Sequence, residues 1–132
     1  MSDAYIKQDK PFVVPTDDGK HIEEHFGIPS TGMKDVSVAR MVAPPGWSEP
    51  AQTPEFDELT LMVKGRKWVI VGEDELELSA GESLLVRAGT RVQYSNPYDE
   101  PAHIIEVQCG DYLGEDDIVR IEDNYGREGT NN

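Results

Sequence analysis

From Val36 onward the chain alternates short apolar runs with Gly, Pro, Asp or Asn, and this rhythm predicts strands in place of helices. The runs are Val36 to Ala43, Leu59 to Lys64, Lys67 to Val71, Leu76 to Leu78, Ser83 to Val86, Val92 to Tyr94 and Ala102 to Gln108. Several have period two, as in Lys67-Trp68-Val69-Ile70-Val71 and Glu75-Leu76-Glu77-Leu78, which gives each strand one packed and one wetted face. Gly72-Glu73-Asp74 between those two reads as a tight hairpin turn. No segment after residue 36 holds a helical period, so the expected fold is an all-β antiparallel sandwich or barrel. Barrel closure would also remove exposed strand edges.

The 132 residues fit one domain able to bury a core without disulfides. Residues 1–35 read as an N-terminal arm with edge strands, 36–126 as the barrel, and 127–132 as a polar, disordered tail. Cys109 is the single cysteine, and the first residues show no charged-then-apolar leader, so a cytoplasmic protein is expected. A formal net charge of -14 argues against nucleic acid and anionic membranes as partners and is itself read as a solvating surface. His21-Ile-Glu-Glu-His25 matches the string of inverted zinc peptidases, but it lies between Gly19 and Gly27 in a β-rich chain, and a chance match is the better account.

Two stretches carry a resemblance. In Gly46 to Gly65, Gly46, Glu58 and Gly65 fall on the first motif of the cupin superfamily, with Gln52 and Pro54 at its two histidine positions. In Gly81 to Asn96, Gly81, Gly89 and Asn96 fall on the second motif, with Arg87 replacing its proline and Val92 its histidine. The chain thus resembles small single-domain bacterial cupins with degenerate metal motifs. The segment from Glu106 to Arg127 is similar to the C-terminal part of cupin-type mannose-6-phosphate isomerases and of the isomerase half of mannose-1-phosphate guanylyltransferases. The resemblance implies an antiparallel double-stranded β-helix, or jelly roll, and a homodimer.

It also implies a metal site from which three of the four usual ligands are missing, leaving Glu58. The expectation is therefore no metal cofactor, although Gln52 and Glu58 could share a weakly held divalent ion. If the family register holds, Glu58 points inward and alternation sends Thr60 and Met62 with it. Val92 and Tyr94 share a face, and Tyr94 offers a phenol to a ligand. Trp47 and Phe56 wall the pocket mouth or pack in the core, Arg40 binds an anionic ligand or pairs with a carboxylate, and Cys109 is a strand-end thiol. On the final strand either Glu106 and Gln108 or else His103 faces inward.

Two functions follow from these residues. The first is a metal-independent module that binds a small polar molecule in a pocket centred on Glu58. The second is a sugar or sugar-phosphate isomerase or lyase with Glu58 as general acid and base.

Overall fold

The computed structural model describes residues 4–110. The chain runs through β1 (Phe12–Val13), β2 (His21–Phe26), a helical turn α1 (Ile28–Thr31), β3 (Val36–Ala43), β4 (Asp57–Lys64), β5 (Arg66–Val71), β6 (Asp74–Ser79), β7 (Ser83–Val86), β8 (Val92–Ser95) and β9 (Ala102–Cys109). Each strand expected from the pattern is present, and the ends differ by at most two residues. The last part of the expected barrel, 111–126, and the tail expected at 127–132 lie outside the described residues.

All pairing is antiparallel, in a six-stranded sheet ordered β1-β2-β3-β9-β4-β7 and a three-stranded sheet ordered β6-β5-β8. The two sheets close the jelly roll expected from the cupin resemblance. Val71 pairs with Asp74, so Gly72 and Glu73 alone make the hairpin turn between β5 and β6. The N-terminal arm extends the large sheet, because β2 pairs with β3 along its length. Among the described residues no helix is long and apolar enough to cross a membrane.

Register decides what enters the barrel. Ala39 faces Glu106 across β3 and β9, and Glu106 faces Thr60 across β9 and β4, while Glu58 faces Gln108. The inward set on β3 is Ser37, Ala39, Met41 and Ala43, and on β9 it is Ala102, Ile104, Glu106 and Gln108. Apolar residues fill one region of the interior, with Met41, Met62, Val69, Val86, Val92 and Ile104 packed together. Charged and amide groups fill the rest. The small side chains of Ala39 and Thr60 on either side of Glu106 leave room for that carboxylate.

The outward set is apolar on β4 and β7, where Leu59, Leu61, Val63 and Leu85 are exposed. Acidic side chains gather on β6, the edge of the smaller sheet, where Asp74 and Glu75 are exposed.

Asn96 fastens the strand connections. It is wholly buried, and its Nδ2 donates to the carbonyls of Ala43, Pro44 and Glu100 at 3.1, 3.2 and 2.9 Å, while its Oδ1 accepts from Tyr98 N at 3.1 Å. One amide thus satisfies carbonyls that the turns would otherwise bury without partners.

Gly65, between β4 and β5, has a φ of 84°, and a Cβ there would sit 2.5 Å from the carbonyl oxygen of Pro101. Gly65→Ala is expected to cost about 2–4 kcal/mol by denaturant unfolding, through left-handed strain plus a backbone clash. Gly72→Ala has a φ of 59° but nothing within 4 Å of the added carbon, so it is expected to cost about 1 kcal/mol. Equal costs at the two sites would contradict the close approach at Gly65.

Candidate functional site in the barrel interior

The interior polar cluster is built from β4, β5, β8 and β9, from the loop before β4 and from the arm before β2. Glu58 on β4 and Tyr94 on β8 meet across the two sheets, and the Tyr94 hydroxyl donates to Glu58 Oε1 at 2.7 Å. Gln108 Nε2 donates to Glu58 Oε2 at 3.1 Å and lies 3.4 Å from Glu106 Oε1. Both oxygens of Glu58 are therefore held, and the residue is 3% exposed. Thr60, Met62, Val92, Glu106 and Gln108 are buried on the same inner surface.

Gln52 lies at the edge of this group, half-buried, where its backbone bridges to Val92 and its Nε2 donates to Glu49 Oε2 at 3.1 Å.

Arg40 and His103 do not join the cluster. Each occupies the outward parity of its strand, since Ala39 and Met41 take the inner positions of β3, and Ala102, Ile104 and Glu106 those of β9. Out there Arg40 lies 3.4 Å from His103 Nδ1 and 3.9 Å from Glu23. A role for either as a pocket residue is corrected by this alternation, and Arg40 has the carboxylate partner weighed for it. His21 and His25 flank Glu23 on strand β2, at 3.0 and 3.8 Å, and the peptidase-like string has no helix to sit on. Cys109 is a half-buried free thiol at the end of β9.

Three ionisable groups were not anticipated. Lys67, at the start of β5, shares its inward parity with Val69, and its Nζ lies 3.8 Å from the centroid of the Tyr94 ring. The alternation Lys67-Val69-Val71 was the available signal, because it put the lysine on the packed face. Glu49 comes from the loop before β4 and Lys20 from the turn before β2, so no periodicity marked them. Lys20 Nζ lies 3.9 Å from Glu49 Oε1 and 4.3 Å from the Trp47 ring centroid, and Trp47 Nε1 donates to Asp18 at 2.8 Å. Trp47 and Phe56 are both buried.

Burial sets the electrostatics. Loss of water pushes the Glu58 carboxyl up to about 7, and the nearby Glu106 carboxylate pushes the same way, against the hydrogen bond from Tyr94 and the charge of Lys67. Glu49 is pushed up to about 8, again by burial first, with Lys20 opposing. Lys67 is driven down to about 8 by burial, with Glu106 opposing. The Tyr94 phenol is raised by burial and by the Glu58 charge beside it, so it stays a donor. Carboxyls and amine are thus poised to exchange protons near neutrality.

The donor set suits a metal poorly. Pro54 and Val92 have no donor atom where the motifs place imidazoles, and both Glu58 oxygens accept hydrogen bonds from protein partners. No group of three or more His, Cys, Asp or Glu able to hold a metal occurs among the described residues.

These shifts predict how stability varies with pH. Glu58 titrates at 4.5 in the unfolded reference and near 7 in the fold, so over that interval the native state keeps a proton that the unfolded chain has released. Native stability therefore falls as pH rises from about 4.5 to 7, and Glu49 carries the fall to about 8. Lys67 acts the other way above that, because the native state releases its proton near 8 and the unfolded chain near 10.5, and stability climbs between them. The melting temperature is expected to be lower at pH 7.5 than at pH 5, and Glu58→Gln, which cannot titrate, is expected to shrink that difference. An undiminished difference in the variant would assign the effect to other groups.

Residues 34–123 match the family model described as mannose-6-phosphate isomerase C-terminal. Among individual relatives, the chain is 48% identical over 91 residues to a Myxococcus xanthus protein named endoribonuclease YbeY, covering 69% of this chain and 31% of that one. It is 46% identical over 67 residues to the xanthan biosynthesis protein XanB of Xanthomonas campestris, covering 51% of this chain and 14% of that protein. The chain thus spans less than a third of either of these longer relatives. A solved cupin from Silicibacter pomeroyi, titled a sugar phosphate isomerase, superposes with a TM-score of 0.65 at 18% identity, over 77% of this chain and 73% of that one. The fold is that of a cupin barrel, and the chain belongs to the family of the mannose-6-phosphate isomerase C-terminal domain.

Proposed function

We propose that this protein is a metal-independent cupin that admits a small polar molecule of the sugar or sugar-phosphate class and moves a proton on it with Glu58. The observation that carries the reading is the Glu58 carboxyl itself, buried in the barrel, fixed by Tyr94 and Gln108, and pushed up to about 7. A general acid and base works best with a pKa near the ambient pH, since each protonation state is then available for half of a proton transfer. Isomerisation of an open-chain sugar asks for such a group: a carboxylate removes a proton from the carbon beside the carbonyl, and the acid returns it to the neighbouring carbon. The negative charge that develops between these steps has Lys67 for a counterion, inside a low dielectric where a fixed charge acts strongly.

The names of the matched family and of the Silicibacter cupin support the sugar-phosphate class. In this reading the molecule enters beside the segment between β3 and β4. That segment carries Glu49 and Gln52, and it joins β8 through isolated bridges at Ser48–Ser95 and Gln52–Val92 instead of a continuous ladder. A second reading, binding without turnover, has its own support in the complete hydrogen bonding of Glu58, which suits a structural carboxyl as well as a reacting one.

A thermal-shift screen of sugars, sugar phosphates, uronates and small amines on wild type and Glu58→Gln separates the two. The expected result is a compound that raises the melting temperature of both proteins by mass action and is converted by wild type alone, at least a hundredfold faster than by the variant. Conversion is expected to survive prolonged chelation. Loss of activity on chelation, or one tightly held Zn, Fe or Mn per chain, would overturn metal independence, and shared binding with no conversion by wild type would leave a binding module.

A further inference from the structure

We propose that Lys67 is a carbonyl-capturing amine, which condenses with the aldehyde or ketone of a small open-chain sugar inside the barrel. The inference rests on the reading above that the interior admits such a molecule, and it adds a covalent step which that reading does not require.

The two buried lysines of the interior are held differently. Both lie over an aromatic ring, Lys20 over Trp47 at 4.3 Å, but Lys20 also has a carboxyl oxygen of Glu49 at 3.9 Å. Lys67 Nζ donates no hydrogen bond among the described residues, and its close neighbour is the face of Tyr94 at 3.8 Å. An aromatic face offsets only part of the hydration an ammonium loses on burial, whereas a neutral amine loses far less. Burial therefore moves Lys67 toward the nucleophilic form, so that near pH 7 a share of it is neutral while the rest keeps its charge, and the lowered pKa agrees with this. The other charges acting on Lys67 are Glu106, Glu49 and Glu58, which favour the ammonium, and Lys20, which opposes it.

An amine alone forms imines slowly, because the carbonyl oxygen must leave as water and needs an acid to do so. Tyr94 links the two groups: its ring lies under Lys67 and its hydroxyl donates to Glu58 at 2.7 Å. The amine thus lies over the face of the phenol whose hydroxyl holds the carboxyl.

The step balances without any outside oxidant or reductant. The Nζ lone pair forms the C–N bond while the carbonyl π pair moves to oxygen, which takes the proton of the Glu58 carboxyl. The nitrogen then returns a proton to Glu58. That proton goes to the carbinol hydroxyl, which leaves as water as the nitrogen lone pair closes the C=N bond. One neutral amine, one carbonyl and one carboxyl proton become an iminium, one water and the Glu58 carboxylate. That carboxylate is then free to accept the proton on the carbon beside the iminium.

The full chain, incubated at pH 7 with D-glyceraldehyde and sodium cyanoborohydride, is digested and its lysine peptides are mapped by mass spectrometry. The expected result is a reduced adduct on Lys67 formed about tenfold or more faster than on the exposed Lys64, since burial raises the share of nucleophilic amine on Lys67 above that of an ordinary lysine. Labelling of Lys34 and Lys64 with Lys67 unmodified would overturn the proposal. Lys67→Arg keeps the charge but cannot form the imine. If a screened sugar still raises the melting temperature of wild type and of Lys67→Arg while Lys67 goes untrapped, the covalent step alone fails. If no sugar shifts either protein and nothing is trapped, binding and capture fail together. The wild-type peptide map decides the question even if the variant does not fold.

Discussion

Desolvation of a mixed set of charges inside a closed β-barrel is the constraint on which the rest of this protein depends. Glu49, Glu58, Glu106, Lys20 and Lys67 are all nearly inaccessible to water. A buried carboxylate or ammonium costs several kcal/mol unless it is paired or neutralised, so the cluster has to combine hydrogen bonds, opposite charges and altered protonation. Tyr94 and Gln108 supply hydrogen bonds to Glu58, and Lys20 supplies the opposite charge to Glu49. The remaining cost appears as carboxyl pKa values raised to about 7 and 8 and a lysine lowered to about 8. Replacing these residues with apolar ones of like volume would be the simpler route to a stable core, so their presence is itself a pointer to chemistry.

The fold supplies the positions. Antiparallel register sets Glu106 between Ala39 and Thr60, and Glu58 beside Gln108, so that β4 and β9 deliver their polar groups to one level of the barrel beside the small Ala39 of β3. The smaller sheet brings Lys67 and Tyr94 to meet them from the other side. Asn96 and Gly65 hold the connections that keep the two sheets together, one through side-chain hydrogen bonds and the other by letting two backbones touch. Where the cupin motifs place imidazoles this chain has Gln52, Pro54 and Val92, and the buried basic residues among the described ones are Lys20 and Lys67.

Much of this was legible in the chain. Alternation in Val36 to Ala43 and Ala102 to Gln108 fixes two long strands, and the glycine and asparagine spacing of the two motifs fixes how they connect. Glu58, Thr60 and Met62 follow from one register assumption. What alternation cannot state is which parity faces in, and that is why Arg40 and His103 stood beside Glu106 and Gln108 as candidates until the pairing of β3 with β9 separated them. Lys67 is hard to read from the chain because lysine is so rarely buried that its place among inward valines is a weak signal. Glu49 and Lys20 sit in connections without period, and their meeting is a product of tertiary structure alone.

Burial holds the Glu58 carboxyl ready to exchange a proton near neutral pH. Carbon-detected NMR of the glutamate side-chain carboxyls, with Glu58 assigned by its loss in Glu58→Gln, measures this directly. The Glu58 midpoint is expected near 7, moving higher in Lys67→Met as the stabilising positive charge is removed. A midpoint near the ordinary 4.5, unmoved by that substitution, would contradict it.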